Sequence, residues 1–191
     1  MEIVFATNNP HKLEEINAIS KGLGIEFILP PKEFNPEETG TSFEENSYIK
    51  AKSANDLTHK MSLADDSGLC VKALNGAPGL YSSRYAGTQQ EKIEKLLSEL
   101  EGEKNRSAEF VCFMTLLDEN GEVLFKTEGK CKGEIITKSK GVNGFGYDPI
   151  FLVEGTNLTM AEMPEDEKNK ISHRFNALKM VINYLKQNYK L

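Results

Sequence analysis

Residues 2–29, EIVFATNNPHKLEEINAISKGLGIEFIL, decide the fold class. Glu2 to Ala6 is a short apolar run that fits a buried strand, and Thr7-Asn8-Asn9-Pro10 stops it at once. Pro10 suits the first turn of a helix, where its missing N–H costs nothing, and Asn8 or Asn9 can cap that helix. Leu13, Ile16, Ile19 and Leu23 recur at helical spacing, which predicts a helix of about three turns ending near Gly22 to Gly24. Ile25 to Leu29 forms a second strand, stopped by Pro30-Pro31. A strand, a helix and a strand in succession open an α/β fold.

Working along the chain, residues 32–41 are polar, acidic and turn-rich, a loop by composition. A helix is predicted from Ser42, with Glu45 as its capping-box partner, through Ile49, Ala51, Ala54 and Leu57. Met61 to Ala64 reads as a strand ending in Asp65-Asp66 at a Ser67-Gly68 turn, and Leu69 to Leu74 as another strand. Glu91 to Leu100 carries Ile93, Leu96, Leu97 and Leu100 on one helical face. Ala108 to Leu117 is strand-like, and Asn120-Gly121 predicts a tight hairpin into a strand running on towards Thr137. Gly141 to Pro149 is a glycine-rich loop before the apolar Ile150 to Val153. A final helix is predicted after Ser172, its cap, burying Phe175, Leu178, Ile182 and Leu185. The expected architecture is a mixed, partly antiparallel central sheet flanked by helices, one domain over 1–191 with two lobes around a nucleotide-binding cleft.

The 191 residues suffice for one sizeable core. A 39% hydrophobic and 27% charged composition is that of a soluble globular protein, and no apolar run approaches the ~20 residues of a membrane helix. The N-terminus enters its first strand without a basic leader and apolar stretch, so a cytoplasmic protein is expected. Cys70, Cys112 and Cys131 are odd in number, widely spaced and set in apolar runs, which favours reduced structural thiols over a zinc site. A net charge of −6 argues against a broad basic face for polymeric nucleic acid, but a small polyanion needs only a few local cations.

Several segments offer such chemistry. Thr7 to Lys12 places a hydroxyl, two amides, backbone N–H groups and a Lys at a helix N-terminus, an anion site or an ordinary cap. Asp65-Asp66 is either a solvated turn or a pair able to hold a hard cation and orient water. Glu38 on the preceding loop could share that cation, with Lys50 close in sequence, and Glu45 or Asp65 as further candidate contacts. Arg84, between Tyr81 and Tyr85, could clamp phosphate. The loop Gly144-Phe145-Gly146-Tyr147-Asp148 offers close backbone approach, aromatic faces and a carboxylate. Lys168 to Arg174 brings donors to the last helix, while His11 and His59 read as surface residues.

Taken in order, Thr-x-Asn-x-x-Lys at 7–12, Glu-Thr-Gly at 38–40, Glu-Asn-x-x-x-Lys at 45–50, Ala-Asp-Asp-Ser-Gly-Leu at 64–69, Pro-Gly-x-Tyr-Ser at 78–82 followed by Arg-Tyr-Ala-Gly at 84–87, Phe-Gly-Tyr-Asp-Pro at 145–149 and Ser-His-Arg at 172–174 span nearly the whole chain. The series resembles the inosine triphosphate pyrophosphatase family, the Ham1-like nucleoside-triphosphate pyrophosphatases. That resemblance implies Mg2+-dependent hydrolysis of noncanonical purine nucleoside triphosphates (ITP, dITP, XTP) to monophosphate and pyrophosphate, in a homodimer, with no membrane or polymeric nucleic acid as partner. It implies that Thr7, Asn8, Asn9, Pro10, His11 and Lys12 hold phosphates, that Asp66 is proton acceptor and, with Glu38, metal ligand, and that Lys12 and Lys50 assist catalysis. Ser67, Phe145, Gly146, Tyr147, Asp148, Lys168, His173 and Arg174 would bind the nucleotide. The related Maf-like pyrophosphatases and a noncatalytic nucleotide-binding module are the rival expectations.

Overall fold

The computed structural model describes all residues from Met1 to Leu191. Six strands, β1 (Glu2–Phe5), β2 (Glu26–Ile28), β3 (Ser62–Val71), β4 (Ser107–Leu117), β5 (Val123–Ile135) and β6 (Phe151–Val153), form one sheet in the order β2-β1-β3-β4-β5-β6. The helices are α1 (Pro10–Ser20), α2 (Phe43–Thr58), α3 (Gln89–Glu99), α4 (Glu165–Ile171) and α5 (His173–Asn188). β1 runs parallel to β2 and to β3, with Val4 opposite both Ile28 and Ser62, whereas β6 is antiparallel to β5. The predicted mixed sheet is thus present, and in its opening β1-α1-β2 unit the helix starts at Pro10 with Asn9 as cap, the Asn9 side chain accepting from the His11 N–H.

The chain divides into two compact units. The first comprises Met1–Asp66, Cys112–Gly129 and Arg174–Leu191; the second comprises Ser67–Val111 and Lys130–His173. In the first unit the sheet is covered on both faces. Ile3, Phe5, Leu63 and Met114 pack with Ile16 of α1 and Ala177, Leu178, Val181 and Leu185 of α5. Val4, Ala6 and Ala64 pack on the other face with Ala51 and Ala54 of α2. Burial on both faces explains why β1 reads as an unbroken apolar run. In the second unit Leu69, Val71, Phe110 and Phe151 pack with Ile93, Leu96 and Leu100 on and just beyond α3.

The expectation for Asp65 to Gly68 is corrected. Asp65 and Asp66 do not end a strand; β3 continues through Ser67 and Gly68 to Val71, absorbing the start of the strand expected at Leu69. Gly68 serves a close approach instead of a turn, since a Cβ there would lie 2.2 Å from the Gly79 carbonyl oxygen. Ser42 caps α2 by accepting from the Glu45 N–H, and the Glu45 carboxylate reaches back mainly to Thr41, accepting from its N–H at 2.6 Å and its hydroxyl at 2.8 Å, and also to the Ser42 backbone. The β4–β5 connection makes the expected tight hairpin at Asn120-Gly121, with Gly121 at φ 83° and its N–H donating to the Asp118 carbonyl at 3.2 Å. It is closed by the Asp118 carboxylate, which accepts from the N–H groups of Asn120 at 2.8 Å and Glu122 at 2.9 Å. The polar segment before Ser172 forms a short helix, α4, that its apolar content did not signal.

Candidate active site

Adjacent residues of a strand point to opposite faces of the sheet, and this divides Asp65 from Asp66. Asp65 lies on the side of α1 and α5, 1% exposed. Lys12 of α1 donates to both its oxygens at 3.0 Å, and Arg174 of α5 donates through Nε and Nη2 to Oδ2 at 3.2 Å each. Arg174 is itself buried, and its Nη1 donates to Glu15 at 2.6 Å. Burial alone would raise the Asp65 pKa, but Lys12 and Arg174 hold it well below the usual carboxylate range. Both Asp65 oxygens are thus occupied by cations of the protein itself.

Asp66 lies on the side of α2, where Lys50 donates to it at 3.4 Å and also approaches Glu38 at 3.6 Å. Asn46, one helical turn before Lys50, hydrogen-bonds Asp66 as well. Burial pushes the Asp66 pKa up, Lys50 pulls it down, and Glu38 and Asp65 push it up again, with a net rise. Lys50 is held above its ordinary value: burial opposes its charge, but Asp65, Asp66 and Glu38 outweigh burial. Two carboxylates therefore share a single ammonium. Around them Lys12, Lys50 and Arg174 face the four acids Glu15, Glu38, Asp65 and Asp66, and the excess negative charge rests at the Glu38–Asp66 end.

Beside this end a cavity of about 390 Å³ is lined by Thr7, Asn8, Asn9, Lys12, Glu38 and Lys50, among others. Within the expected phosphate segment, the Thr7 hydroxyl accepts from the Asn9 N–H at 3.1 Å, and the Asn8 amide donates to the Phe34 carbonyl at 3.2 Å. His11 points away into solvent beside Glu14, 3.5 Å away, in accord with its reading as a surface residue. Glu45 is taken up by Thr41, which holds its carboxyl below the ordinary range.

In the second unit Ser67 follows Asp66 in β3 and is half-buried. The Phe145–Asp148 loop is tied down on itself. Asp148 accepts from the Phe145 N–H at 3.0 Å and from Lys168 at 2.7 Å, the Gly146 N–H donates to Gln89 at 3.1 Å, and the buried Tyr147 donates its hydroxyl to the Ser82 carbonyl at 3.1 Å. Phe145 alone of this loop presents an exposed ring, with the Lys168 ammonium 5.2 Å from its centroid. His173 stacks on Phe110, ring centroids 5.0 Å apart. Tyr147, Asp148 and Lys168 thus shape the loop, and the Phe145 ring is its exposed aromatic face. Arg84, considered for phosphate, instead lies against the exposed Tyr81 ring at 5.3 Å.

One contributor, Glu15, escaped the sequence, and the settings of two others were not legible in it. Glu15 looks like one of two solvated acids in α1 yet is buried against Arg174, with its Oε1 unpaired. The guanidinium of Arg174, a residue expected to bind the nucleotide, is engaged by Asp65 and Glu15, a setting the sequence did not show. Asn46 lies inside the Glu-Asn-x-x-x-Lys motif at 45–50, which carried no role for it until its bond to Asp66 was seen. A polar residue on the apolar stripe was the available signal for Glu15, since it lies four residues before Ile19, which packs against the core.

The Ham1 family model matches residues 3–184. The chain is similar to the dITP/XTP pyrophosphatase of Staphylococcus epidermidis, 47% identical with 96% of each chain covered. It is also similar to that of Synechocystis, 44% identical over 95% of this chain and 93% of the relative. Among solved structures, a Ham1 protein from Coxiella burnetii superposes with a TM-score of 0.89 at 44% identity, covering 98% of this chain and 99% of the other. A nucleoside-triphosphatase / dITP/XTP pyrophosphatase from Mycobacterium abscessus gives 0.76 at 39% identity, covering 95% and 98%. Likeness of sequence and backbone over so nearly the full length leaves one assignment: the chain belongs to the Ham1 family.

Proposed function

We propose that this chain hydrolyses noncanonical purine nucleoside triphosphates, ITP, dITP and XTP, to the nucleoside monophosphate and pyrophosphate. The observation that carries the proposal is the Glu38–Asp66 pair sharing one ammonium beside the Thr7–Lys12 cavity. Relatives named dITP/XTP pyrophosphatase support it. The donor set fits a hard divalent cation: the pair supplies only oxygen ligands and is short of positive charge, and Mg2+ commonly takes one or two carboxylates plus substrate phosphate oxygens. Mg2+ held by Glu38 and Asp66 would supply charge neutralisation on the triphosphate.

The rest of the chemistry belongs to the protein. Asp66, its basicity raised by burial and by neighbouring carboxylates, accepts the proton of the attacking water. Lys50 and Lys12, at the cavity wall, offset charge on the phosphoryl oxygens as pyrophosphate departs. Backbone N–H groups and side chains of Thr7 to Lys12 orient the phosphates. Ser67 contacts the substrate, the Phe145 ring stacks on the base, and His173 with the loop backbone reads its O6; Arg174 joins them only by exchanging Asp65 or Glu15. Adenine, which carries an amino group at that position, would leave a buried donor unpaired at a cost of about 1–3 kcal/mol. Residues 1–191 act as a single catalytic domain, in a cytoplasmic homodimer.

A substrate panel tests the proposal. ITP, dITP and XTP should yield monophosphate and pyrophosphate with Mg2+, with kcat/KM at least ~10-fold above ATP and GTP, and EDTA should stop the reaction. Equal kcat/KM for ITP and GTP, or release of inorganic phosphate in place of pyrophosphate, would overturn it. A sedimentation mass near 21.3 kDa would remove the homodimer.

A further inference from the structure

Asn46 lies in the first turns of α2, 2% exposed, between the two segments that carry the acidic pair. Its Oδ1 accepts the Gly40 N–H at 2.8 Å. That leaves its Nδ2 to donate to the Asp66 carboxylate. One amide thus ties the loop bearing Glu38 to the strand bearing Asp66. Lys50, four residues on and on the same helix face, spans the same two carboxylates by charge. The two links differ in kind. An ammonium competes with a metal ion for carboxylate oxygens, whereas a neutral amide with fixed donor and acceptor ends holds the distance between its partners without competing.

The backbone around Gly40 is shaped to this amide. A Cβ on Gly40 would lie 2.6 Å from Asn46 Oδ1, 2.7 Å from Glu45 Cβ and 2.9 Å from the Asn46 nitrogen. The next residue, Thr41, is clamped by Glu45. Residues 29–42 contain no helix or strand, so Glu38 takes its position from anchors such as these. The anchor at Gly40 is two residues away, within ~7 Å of chain.

We propose that Asn46 is a positioning residue for the divalent cation, setting the separation of Glu38 and Asp66 so that both carboxylates can meet one ion. This rests on the assignment of Glu38 and Asp66 as the metal pair. Residues that orient metal ligands commonly change affinity by about 10–100-fold when removed.

The test uses the full chain without nucleotide and Mn2+ as probe, its binding followed by electron paramagnetic resonance of the free ion. Asn46→Ala should raise the Mn2+ dissociation constant about 10-fold or more, and Gly40→Ala, which pushes on the same amide from the loop side, should shift it in the same direction. In turnover of dITP both variants should need more Mg2+ for half-maximal rate, with kcat recovering as Mg2+ is raised. Glu45→Ala cuts the neighbouring clamp without touching Asp66 and should have the smaller effect on Mn2+ affinity. Should Asn46→Ala fail to fold, Gly40→Ala carries the measurement. A lowered melting temperature with unchanged Mn2+ affinity in the folded variants would make Asn46 merely structural and overturn the inference while leaving the metal assignment intact. A wild-type chain that turns over dITP but binds no Mn2+ would overturn both.

Discussion

Replacing Asp65 by Asn keeps the shape of the side chain and removes its charge from between Lys12 and Arg174. The wild-type carboxylate accepts four charge-assisted hydrogen bonds from those two cations in a site closed to water. An Asn can accept only through its carbonyl oxygen and must turn its NH2 towards a cation. Breaking a buried ion pair by removing one partner costs about 3–5 kcal/mol, against a total stability of ~5–15 kcal/mol. At this chain length each kcal/mol moves the melting temperature by about 2–4 °C, so a fall of roughly 6–20 °C is expected. The pH dependence has a definite sign. Because the cations hold the folded Asp65 carboxyl below its ordinary value, the unfolded chain protonates first as pH falls, at about 3.9. The contribution is complete above about pH 5 and drains away below it, at ~1.4 kcal/mol per pH unit while the folded group stays ionised. The chain contains no Trp, so urea unfolding is followed by far-ultraviolet circular dichroism. The stability gap between wild type and Asp65→Asn should be constant from pH 5.5 to 8 and narrow below pH 4. A gap under about 1 kcal/mol at pH 7, or one unchanged at pH 3, would refute Asp65 as the anchor of this cluster.

Asp66→Asn should behave in the opposite way: kcat for dITP falls by about 10²-fold or more, while the melting temperature holds or rises, because the folded state raises the pKa of Asp66 and so disfavours its charge. Near-normal turnover would remove Asp66 from the chemistry. Gly68→Ala pushes a methyl against the Gly79 carbonyl and should cost about 1–3 kcal/mol by thermal unfolding, with KM rising because Ser67 shifts; unchanged stability would mean that the strand has room the geometry denies. Iodoacetamide should label the half-buried Cys70 well before the buried Cys112 and Cys131, the Cys131 thiol being pushed up to about 11 by burial and by Asp148 and Glu154. Mass-mapped labelling of Cys131 first would contradict this.

Local signals carried the first third of the fold. Pro10 and Asn9 marked the start of α1, and the apolar run before them could only be a buried strand. The Asp65–Gly68 segment misled because its composition is that of a turn, while the partners that keep it extended, Lys12, Arg174, Lys50 and Ser82, come from 13 to 109 residues away. The active-site cluster was half legible for the same reason. Asp66, Glu38 and Lys50 could be named from motif order. The burial of Glu15 and Arg174 could not, since charges on amphipathic helices read as solvated unless their mates are known. α4 stayed hidden because its helix buries no residue and so writes no apolar period.

The alternation of β3 has a consequence for how this protein can change. Asp65 and Asp66 differ in fate only because successive positions on a strand face opposite ways, one into a cage of cations and the other towards the cavity side. A substitution at either site damages one function, but loss or gain of a single residue between Ser62 and Ala64 would exchange the two carboxylates and spoil both together. The length of that short segment is therefore held as tightly as its composition, since the register it sets decides which carboxylate meets the cations and which meets Lys50.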